Sequence, residues 1–322
     1  MAVVNFALQR VVSSVLLLVC VIVLNFLLIQ LAPGDIAETM IGEMGGATAE
    51  ILKQIRAEYG IDRSPAEQFV AYLAGILRGN LGASLYYGEP VSVLIWQRVP
   101  ASLLLMFTAL SIAIVFGTLF GTIAAQAPRG WFSHLVTVLS LAGYSAPLFW
   151  TGILLLIAFA HLFPVFPSFG MESLGQKKTA VEYVVDVARH LVLPAVTLAS
   201  IYLAQYSRIT RASMLEVLDS DYIRTGRGKG LSEGIVVYKH ALKNALLPIV
   251  TIAGHQFGRL LGGAVVVETV FTWPGMGRLA FESILRRDQP LLLGILFCST
   301  IIVITVNVVT DLSYRLLDPR IK

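Results

Sequence analysis

DSDYIRTGRGKGLSEGIVVYKHALKNALLP, Asp219–Pro248, is a long polar stretch lying between two apolar runs. Arg224, Arg227, Lys229, Lys239 and Lys243 outweigh Asp219, Asp221 and Glu233, and a basic excess between membrane spans marks a cytoplasmic loop. The pattern predicts two helical pieces joined by a turn: Asp221 caps the first, Gly230 ends it, and Ser232 followed by Glu233 opens the second. The first piece is only about nine residues, below the ~12 at which isolated helices become even marginal in water. Gly226 and Gly228 each remove a further ~1 kcal/mol relative to Ala. Contacts outside the segment must therefore hold it. Two uses fit such a loop: a solvated basic segment near anionic headgroups, or a docking helix for a cytoplasmic partner.

Around this loop the chain is 56% hydrophobic and 14% charged over 322 residues, against roughly 25% charged in soluble domains. With a mean hydropathy of +0.77 it reads as an all-α polytopic membrane protein. The net charge of +4 does not imply nucleic acid, because the basic residues flank apolar runs and form no soluble basic domain. Cys20 and Cys298 both lie within apolar runs, where a thiol acts as a small hydrophobe, so no disulfide framework is expected.

Six runs are long enough to cross a ~30 Å hydrocarbon core: about 11–31, 101–127, 135–163, 191–206 extending toward 218, 246–270 and 291–310. The first exceeds the roughly 7–15 residues of a signal-peptide core and is expected to be a retained helix. An even count with a cytoplasmic central loop places both termini in the cytoplasm, and Arg315, Arg320 and Lys322 agree. The organisation expected is 1–31, the N-terminus and first span; 32–100, an extracytoplasmic segment with short helices at 49–56 and 66–77; and 101–322, a five-span core containing the cytoplasmic loop 213–246. Pro147, midway in the third run, is read as gentle curvature, and Pro194 as a first-turn proline of the fourth. Arg208 and Arg211 are placed to snorkel to headgroups, and Trp273 to anchor an interface.

Tyr222-Ile-Arg-Thr-Gly-Arg-Gly-Lys-Gly-Leu231, followed by His240-Ala-Leu-Lys-Asn-Ala-Leu-Leu-Pro248, resembles the coupling loop of the dipeptide, oligopeptide and nickel family of ABC importer permeases. Leu31-Ala-Pro-Gly-Asp35, Tyr59-Gly-Ile-Asp-Arg63, Gly79-Asn-Leu-Gly-Ala-Ser84, Ser145-Ala-Pro-Leu-Phe-Trp-Thr-Gly152 and Trp273-Pro-Gly-Met-Gly277 are similar to the same family, in order along the chain. The family usually has alanine where Gly226 and Gly228 stand. The resemblance implies a MetI-like type I importer fold in a bacterial inner membrane. It also implies a second, homologous permease, two ATP-binding subunits holding ATP and Mg²⁺, and an extracytoplasmic solute-binding protein delivering peptide. Nickel complexes, glutathione, opines and oligosaccharides are the alternative cargoes. Asp221, Tyr222, Arg224, Thr225, Arg227, Lys229, Gly230 and Leu231 would then couple to an ATPase subunit.

No cofactor is expected on this chain itself: Gly226-Arg-Gly-Lys-Gly230 lacks the hydroxyl that follows the lysine of a phosphate loop. His134, His161, His190, His240 and His255 match no zinc or nucleophile spacing, so neither a metal site nor a catalytic residue is expected. A self-sufficient secondary transporter would need coupling carboxylates near the midplane, whereas Glu268 and Asp311 lie near span ends. Arg259 stands eleven residues beyond Pro248, roughly 16 Å along a straight helix, and shares a face with His255 and Gly262 as a candidate pathway lining. Glu268, Trp273, Pro274 and Gly275 are candidate outer-gate residues.

Overall fold

The computed structural model describes residues 2–31, 50, 53, 62–173, 175 and 178–317. The regular structure among these residues is helical, with one isolated antiparallel bridge between Ala83 and Pro90. In chain order the helices are α1 (Ala2–Leu31), α2 (Pro65–Leu77), α3 (Val91–Gln126), α4 (Trp131–Ser145) and α5 (Leu148–Leu156), which a π-helical turn continues over Ile157–Leu162. Next come α6 (Ala180–Leu218), α7 (Asp221–Gly228) and a π-helical stretch, Ile235–Ala241, that runs into α8 (Leu242–Ala245). The last are α9 (Leu247–His255), α10 (Phe257–Val270), α11 (Met276–Leu285) and α12 (Gln289–Leu317). The predicted helix at 49–56 lies, apart from residues 50 and 53, outside the described residues, as does most of 31–35 and 59–63.

Two compact units are present, 1–99 with 279–308 and 320–322, and 100–278 with 309–319. In the first, Ser64 and Glu67 form a reciprocal capping box at the start of α2, with Pro65 in the first turn, where its missing N–H costs nothing. The Ser64 backbone N–H and hydroxyl hold the Glu67 carboxyl below the usual carboxylate range. Phe69 on α2 meets Phe26 on α1 edge-on at 5.1 Å. Asp288 is buried and caps α12 by accepting the Leu291 N–H at 3.2 Å, while the Ser84 hydroxyl and the Tyr86 N–H also donate to it.

In the second unit, Gly117 and Gly121 of α3 sit against the α6 backbone: a Cβ at Gly121 would stand 2.5 Å from the Ser207 carbonyl oxygen. One-turn spacing of residues without side chains is what lets two membrane helices approach backbone to backbone. Thr179 and Glu182 form a second capping box, so α6 starts at Ala180, eleven residues before the predicted span. Pro194 is consequently an interior, buried proline and not a first-turn one. Likewise α3 begins at Val91, ten residues ahead of the predicted boundary, with Pro100 inside it.

Among the described residues, three helices are long and apolar enough to cross a membrane unbroken: α3, α6 and the Gln289–Thr310 part of α12. Two further pairs are bent and raise that number to as many as five, while α1 carries the apolar stretch Val12–Leu28. The bends correct two expectations. At Ala146-Pro147 the chain turns by 110°, which is a break and not curvature. Ala146 takes an extended conformation (φ −75°, ψ 131°), the one left open to a residue whose successor is proline. The fifth run is also not one straight helix: at its start the Ile235–Ala245 and Leu247–Ala253 pieces meet at 43° ahead of Pro248, and within it the α-helix is interrupted at Gln256.

Candidate functional site: the polar loop and its neighbours

Ser220, not Asp221, is the N-cap residue of α7, with φ −73° and ψ 153°; Asp221 occupies the first helical position, where its charge complements the helix dipole. The helix has eight residues, too few to persist alone. Ile223, 1% exposed, holds it down among Ala125, Met214, Val236, Val237, Ala241 and Ala245. Burying such a side chain contributes about 1.5–3 kcal/mol, comparable with the helix deficit left by Gly226 and Gly228. The Asn244 amide adds a hydrogen bond to the Tyr222 hydroxyl at 2.7 Å.

The end of α7 follows from Gly230. At φ +79° it lets its own N–H reach the Arg227 carbonyl at 2.9 Å and the Leu231 N–H reach the Gly226 carbonyl at 3.3 Å, the paired bonds of a Schellman turn. Leu231 folds back over Gly226, where an added Cβ would stand 3.6 Å from the Leu231 Cδ1, an ordinary van der Waals contact. The ion pairs Arg224–Asp219 and Arg227–Glu233, both at 2.8 Å, are solvent-exposed and contribute ~0–1 kcal/mol each. A groove of about 330 Å³ opens between the two halves of the loop, lined by Tyr222, Thr225, Lys229, Leu231 and His240. All eight residues singled out in the sequence thus lie on one small, capped helix and its turn. Ile223, Ser220 and Asn244 were missed, although a lone isoleucine inside a polar run is itself a sign of an anchored face.

Around the Trp273-Pro-Gly-Met-Gly277 turn, Glu268 is fully buried and accepts the Ser102 hydroxyl at 2.6 Å and the Arg278 N–H at 3.0 Å. The Ser102 oxygen in turn accepts the Met276 N–H at 2.8 Å. A Cβ on Gly275 would lie 2.1 Å from the Glu268 carboxyl carbon, so this glycine is needed for space. Trp273 is 0% exposed and donates its indole N–H to the Ala101 carbonyl at 2.9 Å. That corrects its reading as an interface anchor: the polar edge found a backbone acceptor inside the fold, so the ring could be buried whole. Glu268→Ala would leave the Ser102 and Arg278 donors without their acceptor, at about 1–3 kcal/mol each. The purified protein should therefore melt several degrees lower than Thr269→Ala, which loses only a bond within its own helix, from Thr269 to Val265. Equal melting temperatures would refute the structural role given to the carboxylate.

His255 and Arg259 stand on opposite sides of the Gln256 interruption, so a straight-helix spacing no longer relates them, nor does it set the depth of Arg259. The His255 side chain lies outside the described residues. Arg259 and Gly262 do share an exposed face of α10, while Phe257, Leu260 and Ala264 point inward. Gln256, 2% exposed, turns its amide to the Gln205 carbonyl oxygen at 3.2 Å. Arg211 is tied to the α3–α4 connection and α4: its guanidinium donates to the Pro128 carbonyl at 3.4 Å and the Ser133 hydroxyl at 3.0 Å. Among the described residues no group of three or more His, Cys, Asp or Glu side chains could hold a metal ion.

Apolar spans with a short, anchored polar helix between two of them define a helical, multi-pass membrane protein. The description "Binding-protein-dependent transport system inner membrane component" matches residues 117–322, and the corresponding N-terminal region matches residues 3–106. The dipeptide transport system permease protein DppB of Alkalihalophilus pseudofirmus is 37% identical over 98% of this chain and 99% of its own length. The di/tripeptide permease DppB of Pseudomonas aeruginosa is 41% identical over 94% of both chains, and the oligopeptide permease AppB of Bacillus subtilis 35% identical over 98% and 99%. A crystal structure of an amino acid ABC transporter superposes with a TM-score of 0.50 and 18% identity, covering 70% of this chain and 94% of that one, a likeness of fold alone. The chain belongs to the family of binding-protein-dependent transport system inner membrane components, and is a multi-pass inner membrane protein.

Proposed function

We propose that this chain is one of two permeases forming the path of an ATP-driven peptide importer, with α7 as the element that couples it to an ATPase subunit. Near-full-length similarity to permeases named for dipeptides, di/tripeptides and oligopeptides supports the cargo. The observation carrying the coupling role is the Ile223 anchor: a helix too short to stand alone is fastened by one buried side chain, leaving a polar face and groove outward. A second, homologous permease, two ATP-binding subunits with ATP and Mg²⁺, and an extracytoplasmic solute-binding protein complete the assembly. Six spans with both termini in the cytoplasm agree with the basic loop. Nucleotide closure would draw the coupling helices together and tilt α6, the helix from which α7 descends.

Reconstitution with these partners should give ATP-dependent uptake of labelled dipeptide; uptake of other solutes but no peptide would overturn the cargo. Topology is tested by single cysteines. Ser84 is a poor outer probe, being buried against Asp288, whereas Glu89 is exposed. In intact cells Glu89→Cys should react with an impermeant thiol reagent and Ser232→Cys should not. The reverse pattern would remove α7 from the ATPase side.

A further inference from the structure

Between α4 and α6 lies a slot of about 300 Å³ whose walls combine Ser140 and Tyr144 with Gln205, Ser207, Arg208 and Arg211. Arg211 is engaged by Ser133 and Pro128, but Arg208 has no carboxylate partner among the described residues. The Ser207 hydroxyl, on a residue 0% exposed, is buried in the same wall without a hydrogen-bond partner among them. From the slot the polar surface continues: Gln205 accepts from Gln256, and Arg259, likewise without a carboxylate partner, follows one turn later on an exposed face. Tyr202, Gln205 and Arg208 recur every third residue of α6, spanning about 9 Å along the helix at 1.5 Å per residue. A surface packed against lipid tails does not carry two guanidinium groups without carboxylate partners, a glutamine pair and hydroxyls, because each costs several kcal/mol in hydrocarbon. Of the two guanidinium groups in the slot, Arg211 is already held by Ser133 and Pro128, which leaves the single charge of Arg208 for an incoming anion.

We propose that the stripe from Arg208 through Gln205 and Gln256 to Arg259 is a wall of the translocation path, and that Arg208 in the slot receives the cargo peptide's terminal carboxylate. Arg208 supplies the charge, and Gln205 and Ser207 supply hydrogen bonds beside it. A guanidinium suits this task because its forked donors match both oxygens of a carboxylate. The assignment rests on the peptide-import reading above.

The test is performed on the assembled importer in lipid nanodiscs, with Ser140→Cys as the reporter and the native cysteines replaced. An anionic ethylsulfonate methanethiosulfonate should label it at least about tenfold faster than the cationic trimethylammonium reagent, as expected of a unit charge a few ångströms away at an effective dielectric of about 20. Arg208→Gln should cut that preference severalfold, leaving only the part due to Arg211, and Arg208→Lys should retain it, in complexes eluting as intact assemblies. Excess alanyl-alanine should protect the thiol, and alanyl-alanine amide should not. Labelling by neither reagent would mean that lipid or a partner helix fills the slot, and would overturn the proposal. Equal labelling by both reagents would do the same, as would equal protection by acid and amide or by neither. Reagent preference reads the slot without any transport step, so an importer that failed to carry peptide would be recognised separately.

Discussion

Gly121→Leu is expected to abolish accumulation of the folded protein in the membrane, the largest effect foreseen for a single exchange. A Cβ there would lie 2.5 Å from the Ser207 carbonyl oxygen, 2.6 Å from the Thr210 Cβ and 3.0 Å from the Arg211 N–H nitrogen. Two of these are backbone atoms of a continuous helix, which cannot rotate away as a side-chain end can. One turn earlier, a Cβ at Gly117 would meet the Tyr206 Cβ at 2.7 Å, so sliding α3 along α6 gives no relief. Separating the helices would sacrifice packing along their whole contact, well beyond the ~1–3 kcal/mol typical of overpacking at one core position. Gly262→Ala is the control, because nothing lies within 4 Å of its added methyl group. Size-exclusion profiles of detergent extracts should show an intact peak for Gly262→Ala and none for Gly121→Leu; a normal peak for the latter would mean that the helices do not approach as described.

Gly230→Val should leave the protein folded and eliminate coupled uptake. Nothing lies within 4 Å of a Cβ at this position, so the obstacle is not space but the φ of +79°. An L-residue pays roughly 1–2 kcal/mol there, and a β-branched one more. In a helix anchored by Ile223 and two exposed ion pairs, that strain is enough to undo the Schellman turn and release the Lys229–Leu231 end. Asn, which tolerates the left-handed region, should restore function at this position. Gly228→Ala should be neutral to stabilising by about 1 kcal/mol, because its φ is not positive and its surroundings are open. Paired measurements of ATP hydrolysis and uptake in proteoliposomes would decide the matter. If Gly230→Val hydrolysed ATP and imported at the unmodified rate, α7 would not be the coupling element.

Hydropathy and charge alone determined that this is a helical membrane protein, where its apolar runs lie and that the Asp219–Pro248 loop is its distinctive polar part, because apolar length and charge count are properties of a linear chain. Gly230 was legible too, since a glycine ending a polar helix answers a local backbone requirement. Only the tertiary structure decided where helices break and what their polar residues touch. Pro147 could be read as a bend or a break until neighbouring helices met both halves, and Pro194 changed from a first-turn to an interior proline once Thr179 and Glu182 capped the chain further back. Trp273 and Glu268 have the composition of an exposed turn, yet Ala101, Ser102 and Arg278 supply partners that permit full burial. The same dependence explains Arg208 and Arg259: whether a guanidinium reaches a headgroup, a carbonyl or an open slot depends on which helix lies opposite, and that is not written in its own segment.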